Sequence, residues 1–144
     1  MKNNKDIRWQ QRFNNLKKAF DQLERFIRAE DLNEMEKQGL IKAFEYTYEL
    51  SWKTLQDLLK DKGYLDVAGP KPVIRQSFQD GYLRQGQAWM GMIDSRNLST
   101  HTYDESTAEE LTSKIKSLYY YLFEDLISKL EEEKSGHQES LFDE

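Results

Sequence analysis

Arg96, His101 and Tyr103 fall within one eight-residue stretch, RNLSTHTY, and their types suit proton transfer beside a phosphate. An imidazole shuttles protons near neutral pH. A guanidinium grips two non-bridging oxygens of a phosphodiester at once. Together they meet the needs of internal attack by a ribose 2′-hydroxyl: a group that moves the proton, and a cation for the charge that builds on the phosphate oxygens. That chemistry calls for no carboxylate pair, no metal and no cofactor. Of the chain's two histidines, His137 lies in a polar tail, so His101 is the only imidazole available to a folded core.

The spacing sets conditions on the backbone. At about 100° per residue, Trp89, Met92, Ile93 and Arg96 share one helical stripe, and Met90, Asp94, Asn97 and His101 share its neighbour. Arg96 therefore stands where the pattern calls for a leucine. A buried guanidinium is costly unless acceptors or anions pair with it. Either a partner comes from within the fold, or the position lines a cleft. Asp94, two residues away, faces elsewhere on a helix. Arg96 and His101 are about 140° apart on an ideal helix. They converge through the long Arg arm, through an early helix end, or across a symmetric dimer. A histidine at a helix C-terminus is favoured as a cation by the helix dipole. His101 and Tyr103 share a side only in non-helical chain, so the helix is expected to break between residues 99 and 106. A structural reading stands beside the chemical one: Asn97 and His101 bond across a helix interface, and Tyr103 packs at a helix end.

Positioning these residues falls to a chain that is helical almost throughout. Trp9, Phe13, Leu16, Phe20, Leu23 and Ile27 step by four and three, predicting a helix over 6–29. Its polar face holds Arg8, Arg12, Lys17, Lys18, Arg25 and Arg28, read as a solvated face in preference to a phosphate-tracking stripe. Asn33 with Glu36 has the spacing of a capping box, and the next helix runs to about residue 62. Leu40, Phe44, Thr47, Tyr48, Ser51, Trp52, Leu55, Leu58 and Leu59 form its buried face, and Gly63 is its natural stop. A short helix over 72–83 follows a loop with two prolines, Pro72 fitting its first turn. The fourth helix spans 86–101. Ser106 with Glu109 suggests a second capping box, opening a last helix with the stripe Ala108, Leu111, Ile115, Leu118, Tyr119, Leu122, Phe123, Leu126, Ile127 and Leu130. Tyr120 and Tyr121 flank it and extend toward a subunit contact. No segment alternates with the period of a strand. The expected fold is all-α: an antiparallel helical bundle of four main helices plus a short one.

Composition narrows the class. The 144 residues suit one domain, expected over 1–132, with a core that needs no staple. There is no cysteine, which excludes disulfides, thiolate metal sites and thiol nucleophiles. Residues 131–144 hold six acids and one lysine, so they alone carry the net charge of −5 and leave a neutral body. Residues 133–144 are expected to be a disordered acidic tail. A neutral body predicts weak non-specific affinity for nucleic acid. No apolar run reaches a membrane span and the N-terminus lacks a secretory pattern, so no membrane association and a cytoplasmic location are expected.

The stretch RNLSTHTY resembles the Arg-x4-His-x-Tyr motif of the HEPN superfamily, in particular its HepT-like branch, also described as nucleotidyltransferase substrate-binding proteins. The surrounding WMGMIDSRNLSTHTYDE is similar to that branch too, with Trp ahead of the motif and an acidic pair after it. The resemblance implies a HEPN helical bundle, and a homodimer whose two motifs meet at one cleft. It implies metal-independent RNA cleavage as the toxin of a toxin–antitoxin pair, with a cognate minimal nucleotidyltransferase as antitoxin. It assigns Arg96 and His101 to the catalytic pair, Asn97 to a supporting polar position, and Tyr103 to the tyrosine that the partner modifies with AMP. Asp94 is added as a supporting residue on the helical stripe alone. The alternative from the same resemblance is a non-catalytic substrate-binding subunit of a two-component nucleotidyltransferase.

Overall fold

The computed structural model describes residues 4–142. Among them six α-helices follow in order: α1 (Asn4–Arg28), α2 (Glu34–Asp61), α3 (Pro70–Gln79), α4 (Gly86–Leu98), α5 (Glu105–Lys114) and α6 (Tyr120–Phe142). A 3₁₀ turn, Ser99–His101, closes α4, and a π turn, Ile115–Tyr119, joins α5 to α6. Among the described residues there is no strand. α5, the π turn and α6 make up the single last helix expected from the sequence.

The helices form where their apolar residues recur. Trp9, Phe13, Leu16, Phe20 and Leu23 of α1 are buried, and α1 lies along the buried face of α2. α5 and α6 pack against that pair, and the shorter α3 and α4 close the remaining side. The short connection between α1 and α2 makes them antiparallel neighbours. Phe44 sits at the hub, its ring 5.5 Å from that of Tyr119 and 6.1 Å from that of Phe123.

The helix ends follow their local chemistry. The Asn33 side chain accepts from the Glu36 N–H at 2.8 Å, and the Glu36 carboxylate accepts from the Asn33 N–H at 2.9 Å, so the reciprocal cap is present. At the other end of α2, Gly63 takes a φ of 105°. There the Tyr64 N–H reaches back to the Leu59 carbonyl and the Gly63 N–H to that of Lys60, the paired bonds of a left-handed helix stop. Replacing Asn33 with alanine removes one half of the cap. It is expected to lower stability by about 1 kcal/mol, read as a shift in the midpoint of urea or thermal unfolding.

Three expectations are corrected. Arg12 and Lys17 do not belong to a free solvated face: Arg12 pairs with buried Asp57 at 2.8 Å and Lys17 with Glu131 at 2.8 Å, each tying α1 to another helix. Tyr120 is not a subunit-contact residue: it is buried, stacks on Phe20 at 5.2 Å and donates its hydroxyl to Glu24, while Tyr121 is exposed. α3 begins at Pro70 and ends at Gln79 because Gly69 and Gly81, both at φ 86°, fix the turns on either side. The α6 backbone runs to Phe142. The Glu133–Lys62 pair at 2.7 Å ties α6 to the end of α2. Residues 143–144 lie outside the described residues.

Candidate functional site

α4 stops at Leu98 because the next side chains compete for its carbonyls. The Ser99 hydroxyl donates to the Arg96 carbonyl at 2.6 Å, that of Thr100 to Asn97 at 3.0 Å, and that of Thr102 to Ser99 at 3.2 Å. Such local bonds offer the backbone an alternative to the helix. The chain tightens into the 3₁₀ turn, and the Asp104 N–H then donates to the His101 carbonyl at 3.1 Å. The helix break expected between residues 99 and 106 is therefore present. The second capping box is not. α5 starts at Glu105 with Asp104 at its N-cap, and the hydroxyls of Ser106 and Thr107 donate to the Asp104 carboxylate.

This exit places His101 and Tyr103 side by side. The Tyr103 hydroxyl lies 3.1 Å from His101 Nδ1, and the rings meet edge to face. Both are exposed, Tyr103 to 83 %. Between them, Thr102 points the other way and is held by α2: the Gln38 amide donates to its carbonyl at 3.0 Å, and its hydroxyl donates to Gln38 Oε1 at 3.1 Å. The loop is thus anchored through Thr102 while its neighbours remain accessible. Beside it a groove of about 400 Å³ separates the starts of α2 and α5, lined by Met35, Lys37, Gln38, Thr102, Tyr103 and Glu109 among others.

Arg96 is half-buried, and its partners come from α2. Its Nη1 lies 3.0 Å from Glu45 Oε2 and its Nε 3.7 Å from Glu49. Nη1 also donates to the Ser99 hydroxyl at 3.0 Å, and that hydroxyl is 2.6 Å from the same Glu45 oxygen. The guanidinium is fixed in place by two carboxylates and a hydroxyl. Buried Tyr48, near this cluster, has its phenol pushed up to about 12, by burial first and by Glu49 second, with Arg96 pulling the other way. It stays neutral, and the charge of the cluster belongs to Arg96 and the two glutamates.

Of the residues singled out from the sequence, His101 and Tyr103 are joined directly. Arg96 lies in the last turn of α4, just before that exit, but bonds to α2 and not to His101. Asn97 is exposed next to it. Asp94 is exposed and makes no ion pair among the described residues. Sequence reasoning missed Glu45, Glu49, Ser99 and Gln38. A signal for Glu45 exists: it interrupts the stripe Ile41, Tyr48, Trp52 on α2 as Arg96 interrupts its own stripe on α4. Two opposite charges, each set among apolar positions, are a natural pair. Among the described residues no group of three or more carboxylate, imidazole or thiolate side chains is placed to hold a metal ion. None of their helices is long and apolar enough to cross a membrane.

Comparison with known proteins gives consistent results. Residues 11–132 match the family described as nucleotidyltransferase substrate binding protein like. A Haemophilus influenzae protein named "Probable ribonuclease HepT" is 30 % identical over 81 residues, which cover 54 % of this chain and 56 % of that protein. The match thus spans little more than half of the curated relative's length. A crystal structure of a Thermus thermophilus protein superposes with a TM-score of 0.74 at 36 % identity, covering 80 % of this chain and 98 % of that one. A second structure, from Haemophilus influenzae, is described as revealing the fold of a substrate binding domain of a nucleotidyltransferase. It superposes with a TM-score of 0.69 at 26 % identity, covering 83 % of this chain and 98 % of that one.

Proposed function

The chain belongs to the nucleotidyltransferase substrate binding protein like family, and from that premise we propose that it is a HEPN-type, metal-independent endoribonuclease. In this reading it is the cytoplasmic toxin of a toxin–antitoxin pair. Its antitoxin is a minimal nucleotidyltransferase that attaches AMP to Tyr103. The observation that carries the reading is the exposed His101–Tyr103 pair, hydrogen-bonded at 3.1 Å where the chain leaves α4, whose last turn holds Arg96.

His101 moves the proton of the attacking 2′-hydroxyl, and Arg96 faces the phosphate charge. Glu45, Glu49 and Ser99 fix the direction of the guanidinium, so little reorganisation is left for the moment of reaction. Asn97 adds an amide for the phosphate, and Asp94, on the exposed side of α4, has the most distant supporting role. Two protomers set face to face at this turn would bring two such pairs to one RNA strand. AMP on Tyr103 would put an anion and bulk against His101 and close the site to RNA.

A second reading is favoured by one specific feature. Arg96 is already neutralised by two carboxylates, as suits a residue that braces α4 against α2. The chain would then be a non-catalytic subunit that presents a substrate, or Tyr103 itself, to the transferase. RNA digestion separates the two. Purified wild-type protein, incubated with RNA in excess chelator, is expected to yield fragments ending in 2′,3′-cyclic phosphate. Intact RNA after incubation with correctly folded protein would leave the binding subunit as the function.

A further inference from the structure

We infer that His101 is also the general base that activates Tyr103 for its own nucleotidylation, so that the histidine of the nuclease motif is needed for the chain to be modified. The inference rests on the reading of Tyr103 as an AMP acceptor.

A phenol is ionised only near pH 10, so at neutral pH it needs a base to become a nucleophile. The Tyr103 hydroxyl has one within hydrogen-bond reach, His101 Nδ1 at 3.1 Å. The nearest carboxylate in sequence, Asp104, is taken up by the hydroxyls of Ser106 and Thr107. Packing does not explain why the imidazole and the phenol meet. Both side chains are exposed, and the anchoring of the loop runs through Thr102 and Gln38 instead. The pair is therefore accessible to a second enzyme and already in the geometry a proton transfer requires.

With its ring proton on Nε2, the imidazole accepts the hydrogen bond of the phenol at Nδ1. The Tyr103 oxygen attacks the α-phosphorus of ATP held by the partner transferase. A bond forms from the phenol oxygen to phosphorus, and the bond from phosphorus to the pyrophosphate oxygen breaks. Pyrophosphate leaves with the electron pair, and the phenolic proton passes to Nδ1. The product is a phosphodiester anion beside an imidazolium, an ion pair that holds the new group over His101 until solvent removes the proton. One consequence follows for regulation: a copy that has lost His101, and with it the nuclease, is also a poor substrate for the partner.

The test measures the rate of adenylyl incorporation by intact-protein mass. The chain is incubated with the minimal nucleotidyltransferase of the neighbouring reading frame and ATP. His101→Ala and His101→Asn are compared with wild type, with Tyr103→Phe as the acceptor control. The asparagine amide can still accept the phenol's hydrogen bond but cannot take its proton. Both His101 variants are expected to be modified at least about tenfold more slowly, as loss of a general base requires. Free imidazole is expected to restore the rate of His101→Ala. Either variant modified at the wild-type rate would overturn the base assignment and leave the acceptor reading standing. Wild type left unmodified, or Tyr103→Phe modified as fast as wild type, would overturn the acceptor reading itself.

Discussion

His101→Ala is expected to slow RNA cleavage by about 10²–10⁴-fold, the range for removing a proton-transfer group, and to leave the fold unchanged. The second half of that expectation is as specific as the first. The ring is exposed, and the side chain it bonds to is the equally exposed Tyr103. Its removal should shift unfolding by no more than about 0.5 kcal/mol, as at ordinary surface positions. Arg96→Ala should behave differently. It removes the cation that faces the phosphate, for a loss of about 10²–10³-fold. It also takes from the half-buried Glu45 and Glu49 the cation they share, leaving them only the looser Lys42 and Lys53 pairs at 3.8 Å, so stability falls as well. Arg96→Lys returns a positive charge to that cluster but not the planar fork, and should recover stability better than cleavage. Digestion of one labelled RNA, run beside urea unfolding of the same preparations, checks all three. Equal cleavage by wild type and His101→Ala would remove the imidazole from the chemistry.

The difference between these variants traces to what a linear reading can and cannot reach. The break after α4 was legible because it depends on residues two apart: only a chain leaving the helix lets His101 meet Tyr103. The Asn33–Glu36 cap was legible for the same reason, since its bonds span three residues. Arg96 was legible as an anomaly, a cation on an apolar stripe, yet not as an ion pair. Glu45 lies on another helix, and which stripes of α2 and α4 face each other is settled by the packing of the whole bundle. Tyr120 failed similarly. Tyr120 and Tyr121, side by side on the flank of the stripe, look alike until Phe20 and Glu24 of α1 take the first of them inward. At the start of α5, Asp104 and Ser106 are both good cap residues. The choice fell to Asp104 because its N–H closes the turn onto His101.

Phe44→Ala is expected to cost about 3–5 kcal/mol, as for other buried Phe truncations, a large part of the roughly 5–15 kcal/mol that holds a typical domain together. Phe44 is fully buried. Its ring lies against Tyr119 at 5.5 Å and Phe123 at 6.1 Å, and Phe123 in turn meets Trp89 of α4 at 5.7 Å. Removing it takes contacts from both the last helix and, one ring further, the helix that carries Arg96. The Tyr119 hydroxyl also shares a hydrogen bond with Ser95, the residue before Arg96, so any shift of the Tyr119 ring is passed to α4. Tyr46→Ala, only two residues along, is the control. Tyr46 is half exposed, with the Lys42 ammonium over its ring, so its loss should stay within about 1 kcal/mol. Urea unfolding of the two variants decides the point. A Phe44→Ala protein no less stable than Tyr46→Ala would mean that the aromatic column does not bind α2, α4 and the last helix into one core. The Arg96–Glu45 pair would then need another support.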